Sequence, residues 1–109
     1  MEANNLIFTK HPEGKKGAAI PKTDYYMICE SILNILQQEE KITFNELIDE
    51  VQRRLTIDLM TNIAWRILVV KLDLEAKGLI KVTPHKYDRH VVHLKLNRRA
   101  WKKLYQSAA

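Results

Sequence analysis

The stretch Leu72-Asp73-Leu74-Glu75-Ala76-Lys77-Gly78-Leu79-Ile80 reads as a helix handing over to a strand. Leu, Glu, Ala and Lys favour helix, and Gly78 stands where helices commonly end on a left-handed residue. The alternation of Leu79-Ile80-Lys81-Val82-Thr83 then has the period of a strand. Upstream, Ile63, Ile67, Val70 and Leu74 form one helical stripe, broadened by Met60, Ala64, Leu68 and Leu72, which predicts a long helix from about Asp58 to Lys77. Downstream, His90–Leu96 alternates again, with Val92, Leu94 and Leu96 on one side. The turn-forming and basic residues Pro84-His85-Lys86-Tyr87-Asp88-Arg89 between the two runs predict a β-hairpin.

Further back, Tyr25, Ile28, Ile32, Ile35 and Leu36 share one face of a helix capped by Thr23 or Asp24 and ending near Gln38. Glu39-Glu40-Lys41 is a polar break, and Ile42 begins a short extended segment. Thr43 with Glu46 three residues on has the spacing of a capping box, which opens a second helix. Leu47, Val51 and Leu55, flanked by Phe44 and Ile48, supply its buried face, and Arg53-Arg54 end it near the negative pole of its dipole. Residues 1–23 read as an N-terminal arm, with a possible strand at Leu6–Thr9 and a turn at His11–Gly17. Asn97 caps a closing helix over 97–106, in which Trp101, Leu104 and Tyr105 share a face. One domain over 24–109 and an arm over 1–23 is the expected organisation. The expected class is α+β, mainly α.

Helix, short strand, helix, long helix and hairpin is the order of a winged helix-turn-helix. The stretch 72–80 resembles the end of the recognition helix and the start of the wing in winged-helix transcription regulators. Thr43-Phe44-Asn45-Glu46-Leu47 resembles the opening of their second helix. The chain also resembles a small uncharacterised winged-helix family in which a Trp near position 65 precedes Lys-Leu-Asp-Leu-Glu-Ala-Lys-Gly. The resemblance spans residues 24–96. It implies a winged-helix fold with a β-hairpin wing, an N-terminal arm and a C-terminal helix, and for the regulators a DNA-binding role in transcription.

Composition narrows the function classes. The chain has 109 residues, 46% hydrophobic and 28% charged, which suits one globular domain. The polar start Met1-Glu2-Ala3-Asn4-Asn5 does not resemble a signal peptide. No apolar run approaches a membrane span, and a single cysteine, Cys29, makes no internal disulfide. A cytoplasmic protein without membrane contact is expected. The net charge of +5 is unevenly spread: residues 1–23 carry +2, residues 24–76 carry −5 and residues 77–109 carry +8. Such a basic C-terminal third favours a polyanionic partner.

In the winged-helix mechanism the third helix enters the major groove, and its outward row would be Asn62, Trp65, Arg66, Val69 and Asp73. Asn62 and Arg66 are the candidate base readers, since Asn pairs with adenine and Arg with guanine. The wing carries the candidate backbone contacts Lys81, Lys86, Tyr87, Arg89 and Lys95, and Lys10, Lys15, Lys16 and Lys22 of the arm could add phosphate contacts. Arg98, Arg99, Lys102 and Lys103 alternate with Trp101, Leu104 and Tyr105 on the last helix. With Trp65, those apolar residues offer a dimer or docking face. The expected partners are double-stranded DNA and a second copy of the chain as a homodimer, with no small-molecule ligand identified.

No metal is expected, because His90 and His93 point to opposite faces of a strand and neither these nor His85 with Asp88 complete a ligand set. No cofactor or catalytic residue is expected either. Gly14-Lys15-Lys16-Gly17 lacks the phosphate-loop pattern, and Ser31 and Ser107 are the chain's only serines. The competing reading is a winged-helix protein-interaction or dimerisation module. Carboxylates of Asp58, Asp73 and Glu75 interrupting the third helix, with Trp65 and Val69 exposed, would favour it.

Overall fold

A computed structural model describes residues 5–55, 62–84, 87 and 91–108, with side chains up to residue 103. Among these residues the architecture is α+β with helix predominating. The elements are β1 (Leu6–Phe8), β2 (Ala19–Pro21), α1 (Lys22–Gln38), β3 (Ile42–Thr43), α2 (Phe44–Arg54), α3 (Ile63–Ala76), β4 (Ile80–Pro84), β5 (Val92–Leu96) and α4 (Arg98–Ala108). β1 and β2 pair antiparallel, and a second antiparallel sheet has the order β3-β5-β4. The core lies where α1, α2 and α3 meet the inner face of that second sheet. Ile28, Ile32, Ile35, Leu36, Leu47, Val51, Ile67, Val70 and Leu74 are buried there with Ile42, Ile80, Leu94 and Leu96.

Local signals explain most element ends. The α2 capping box forms as expected: Thr43 Oγ1 accepts from the Glu46 amide at 3.2 Å, and Glu46 Oε1 accepts from the Thr43 amide at 2.9 Å. α3 stops at Gly78, whose φ of +79° belongs to the left-handed region. The Leu79 amide donates back to the Leu74 carbonyl and the Gly78 amide to that of Glu75, while Leu74 and Leu79 are buried together in the core. Asn97 then fastens α4 to that turn. Its Nδ2 donates to the Gly78 carbonyl at 2.9 Å and its Oδ1 accepts from the Ala100 amide at 3.3 Å.

Other boundaries differ from the sequence reading. α1 begins at Lys22 after Pro21, with no side-chain cap, so Thr23 and Asp24 lie inside its first turn. β2 runs straight into the helix, so Pro21 itself takes the N-cap position, and its ring has no side-chain acceptor for the first-turn amides. The long helix starts at Ile63 and not near Asp58. Asn62 has a φ of +53°, and a right-handed helix cannot pass through a left-handed residue. Asp58 and Met60 themselves lie outside the described residues. β4 and β5 cover 80–84 and 92–96, with Pro84 paired to Val92. Of the connection between them Tyr87 and Val91 are described, and His85, Lys86, Asp88, Arg89 and His90 lie outside.

The arm contains a second strand that no alternation announced. β2 returns along β1, with Ile7 opposite Ile20, and Ile20 is fully buried in the core. Thr9 and Ala18 continue the pairing through bonds of 2.8–3.1 Å. Gly17 permits this closure, because a Cβ there would stand 1.8 Å from the Thr9 carbonyl oxygen.

Candidate nucleic-acid interface

The register of the second sheet sorts its side chains. Ile80 faces Leu96, and Val82 faces Leu94, which also pairs with Ile42. These residues line the inner face. Lys81 faces Lys95 and Thr83 faces His93, which also pairs with Thr43. Antiparallel partners share a face, so the two lysines sit side by side on the outer face, both exposed. Tyr87, 84% exposed, belongs to the connection beyond them. After Asn97 the chain enters α4, where Arg98, Arg99, Lys102 and Lys103 are exposed. Trp101 is half-buried against the core of its own chain. Leu104 and Tyr105 belong to α4, but their side chains lie outside the described residues.

α3 departs most from expectation. The C-terminal half of its supposed outward row is covered: Val69 is 8% and Asp73 1% exposed. Ala64, expected to broaden the core stripe, is exposed instead. The sequence Ile63–Ala76 is apolar on most sides, and such a helix is buried on more than one flank. One flank meets α1. Another meets the arm, where Thr9, Lys10 and Gly17 line a crevice with Trp65, Leu68 and Val69. Arg66 forms an ion pair with Asp24 of α1 at 2.6 Å, and its side chain is only 20% exposed. Asn62 and Trp65 remain exposed, Trp65 at 49%.

Asp73 is the residue whose role the sequence pattern hid. Its carboxylate accepts from the Tyr25 hydroxyl, from Lys77 Nζ at 2.8 Å and from the Lys10 amide at 2.9 Å, joining α1, α3 and the arm. Burial pushes this carboxyl up. Hydrogen bonds from Lys77, Tyr25 and the Lys10 amide, with the Lys77 charge, outweigh burial and hold it below its ordinary value. Tyr25 moves far upward, through burial first and then through its bond to the Asp73 carboxylate. The i,i+4 spacing of Asp73 and Lys77 is visible in the sequence, but the two distant partners are not. Lys71, 8% exposed, similarly lies over the Phe44 ring at 5.7 Å and pairs with Glu75 at 3.2 Å. Two of the acidic residues expected to interrupt the third helix are therefore neutralised within the chain.

Among the described residues no cluster of His, Cys, Asp or Glu has the makings of a metal site, and no helix is long and apolar enough to cross a membrane. Residues 6–90 match DUF6958, a family of unknown function. The chain belongs to that family. The matched stretch runs from β1 through β4 and ends before β5 and α4. No curated protein matches the chain, and no solved structure does.

Proposed function

We propose that this DUF6958 member is a winged-helix DNA-binding protein acting in transcriptional control, holding duplex phosphates through its β4–β5 hairpin and the first turns of α4. The Lys81–Lys95 pair carries this reading. Like charges directly opposite one another on a sheet destabilise it, yet here they stand exposed on the outer face. From residue 77 onward the only acidic side chain is Asp88. An anionic partner turns that repulsion into binding energy. The element order from α1 to β5 and the strand order β3-β5-β4 support the winged-helix reading.

Base reading by α3 forms no part of the proposal in this conformation. Arg66 is engaged by Asp24, and the arm lies along the Trp65, Leu68 and Val69 flank. Lys86, Tyr87 and Arg89 extend the basic surface by sequence. A homodimer remains part of the reading through Trp65, whereas Trp101 already packs on its own core. The exposed Trp65 also motivates the second reading, a protein-docking module without DNA affinity.

Fluorescence anisotropy of a labelled random-sequence duplex, titrated at several salt concentrations, tests the proposal. About five phosphate contacts give a log–log salt slope near −4.5. Replacing Lys81 and Lys95 by Ala is expected to flatten the slope by about 1.8, at about 0.9 per contact. Arg66→Ala is expected to leave the slope unchanged. No binding at low salt would reject the DNA reading and favour docking through Trp65.

A further inference from the structure

We propose that the crevice between the arm and α3 binds one unpaired nucleotide of a single-stranded nucleic acid, with its base against Trp65 and its phosphates on Lys10 and Lys16. This goes beyond the duplex reading and does not depend on it, since that reading uses β4, β5 and α4. Hairpin pairing builds the site. The bonds between Thr9 and Ala18 place Lys10 beside the Lys16–Gly17 segment, and both lysines line the crevice with Trp65. The Lys10 amide, donating to Asp73 at 2.9 Å, ties that corner of the arm to α3. Leu68, Val69 and Leu72 supply apolar surface. The crevice holds about 210 Å³, below the range of about 300–1,000 Å³ typical of small-molecule sites. Such a space takes one flat ring, and the rest of a ligand continues outside it.

The two ammonium groups are uncompensated. Among the described residues neither Lys10 nor Lys16 has an acidic partner, while nearby Lys15 pairs with Glu13 at 3.1 Å and Arg66 with Asp24 at 2.6 Å. The described lining contains no carboxylate. Asp73 is buried, its carboxylate taken by Tyr25, Lys77 and the Lys10 amide. Trp65 is half-exposed, and among the described residues no ring or cation stacks on its indole. An open aromatic face beside unpaired positive charge is how proteins hold single strands: bases stack on the ring and the charge follows the backbone. Every nucleotide carries both a ring and a phosphate, so each residue of a strand matches the crevice. A peptide matches it only where an aromatic and a carboxylate stand together. In a duplex the bases are stacked on one another and do not enter.

Two labelled strands of equal length separate the ring from the phosphates: an oligothymidine and an abasic strand with the same backbone. Titrated with the full chain in anisotropy measurements, the oligothymidine is expected to bind about tenfold more tightly, a difference of about 1.4 kcal/mol. Trp65→Leu is expected to remove that preference while leaving the affinity for the abasic strand unchanged, with a cooperative thermal melt showing that the variant folds. If it does not fold, Trp65→Met replaces it. Lys10→Gln with Lys16→Gln is expected to flatten the salt slope of the oligothymidine by about 1.4, at about 0.7 per contact for a single strand. Lys81→Ala with Lys95→Ala is expected to weaken both strands alike and preserve the preference, so failure of the duplex reading and failure of this one are read separately. Equal affinity for the two strands, or an undiminished preference in the folded Trp65 variant, would overturn the proposal. So would thymidine monophosphate binding as tightly as the oligothymidine, which would make this a free-nucleotide site, or displacement of the strand by an equal concentration of a Glu-Tyr-Glu peptide. A parent chain that sediments as a dimer, with a Trp65→Leu chain that sediments as a monomer, would put a second copy on this face and overturn it as well.

Discussion

At the scale of single residues, Asp73 concentrates the tertiary information in this chain. A carboxylate 1% exposed is tolerable only when its lone pairs are taken, and here a phenol, an ammonium and a backbone amide take them. Its folded pKa lies below the ordinary 3.8. Such a group contributes its full stabilisation above the unfolded value and loses it as pH falls through the folded value. Asp73→Asn is therefore expected to cost about 2 kcal/mol near neutrality, the scale of a hydrogen bond to a charged group. That gap between the parent chain and the variant should narrow below about pH 4, where the parent's own carboxyl protonates. Urea melts between pH 2.5 and pH 7 measure it, and a gap constant across that range would refute the ionised network.

At the scale of elements, the β1–β2 hairpin changes how the rest is read. Its strands have only three residues each, and so short a hairpin is not stable alone in water. It persists because Ile20 enters the core and the Lys10 amide reaches Asp73. Closure at Gly17 has no room for a side chain, with a Cβ falling 1.8 Å from the Thr9 oxygen. Gly17→Ala is expected to separate the Thr9 and Ala18 segments and destabilise the chain by about 1–3 kcal/mol, the usual range for overpacking. Hydrogen exchange should then quicken at the Thr9 and Lys10 amides well before those of α2. Uniform acceleration across all elements, or none, would show that the arm does not open as a unit.

At the scale of the whole molecule, charge is segregated along the chain, with −5 over residues 24–76 and +8 over residues 77–109. A polyanion approaching such a molecule is oriented before contact. Bound duplex is therefore expected to protect Lys81, Lys95 and Lys102 from acetylation while leaving Lys41, next to Glu39 and Glu40, as reactive as in the unbound protein. Mass spectrometry of acetylated peptides reads this directly. Equal protection of all four lysines would mean diffuse attraction without a defined face.

The capping box at Thr43, the stop at Gly78, the Asn97 cap and the buried faces of α1 and α2 were all legible in the amino-acid sequence. Each is decided by interactions within a few residues or by a simple period. The exposed lysines of the outer sheet face follow from strand alternation in the same way. The burial of Val69 and Asp73, the engagement of Arg66 and the packing of the arm were not legible. Their partners are remote, with Lys10 63 residues from Asp73, Tyr25 48 residues from it, and Asp24 42 residues from Arg66. Helical periodicity fixes which residues share a side of α3, but not how many of its sides meet another element. Only the tertiary structure decided that, because burial of a near-continuously apolar helix is set by what packs around it.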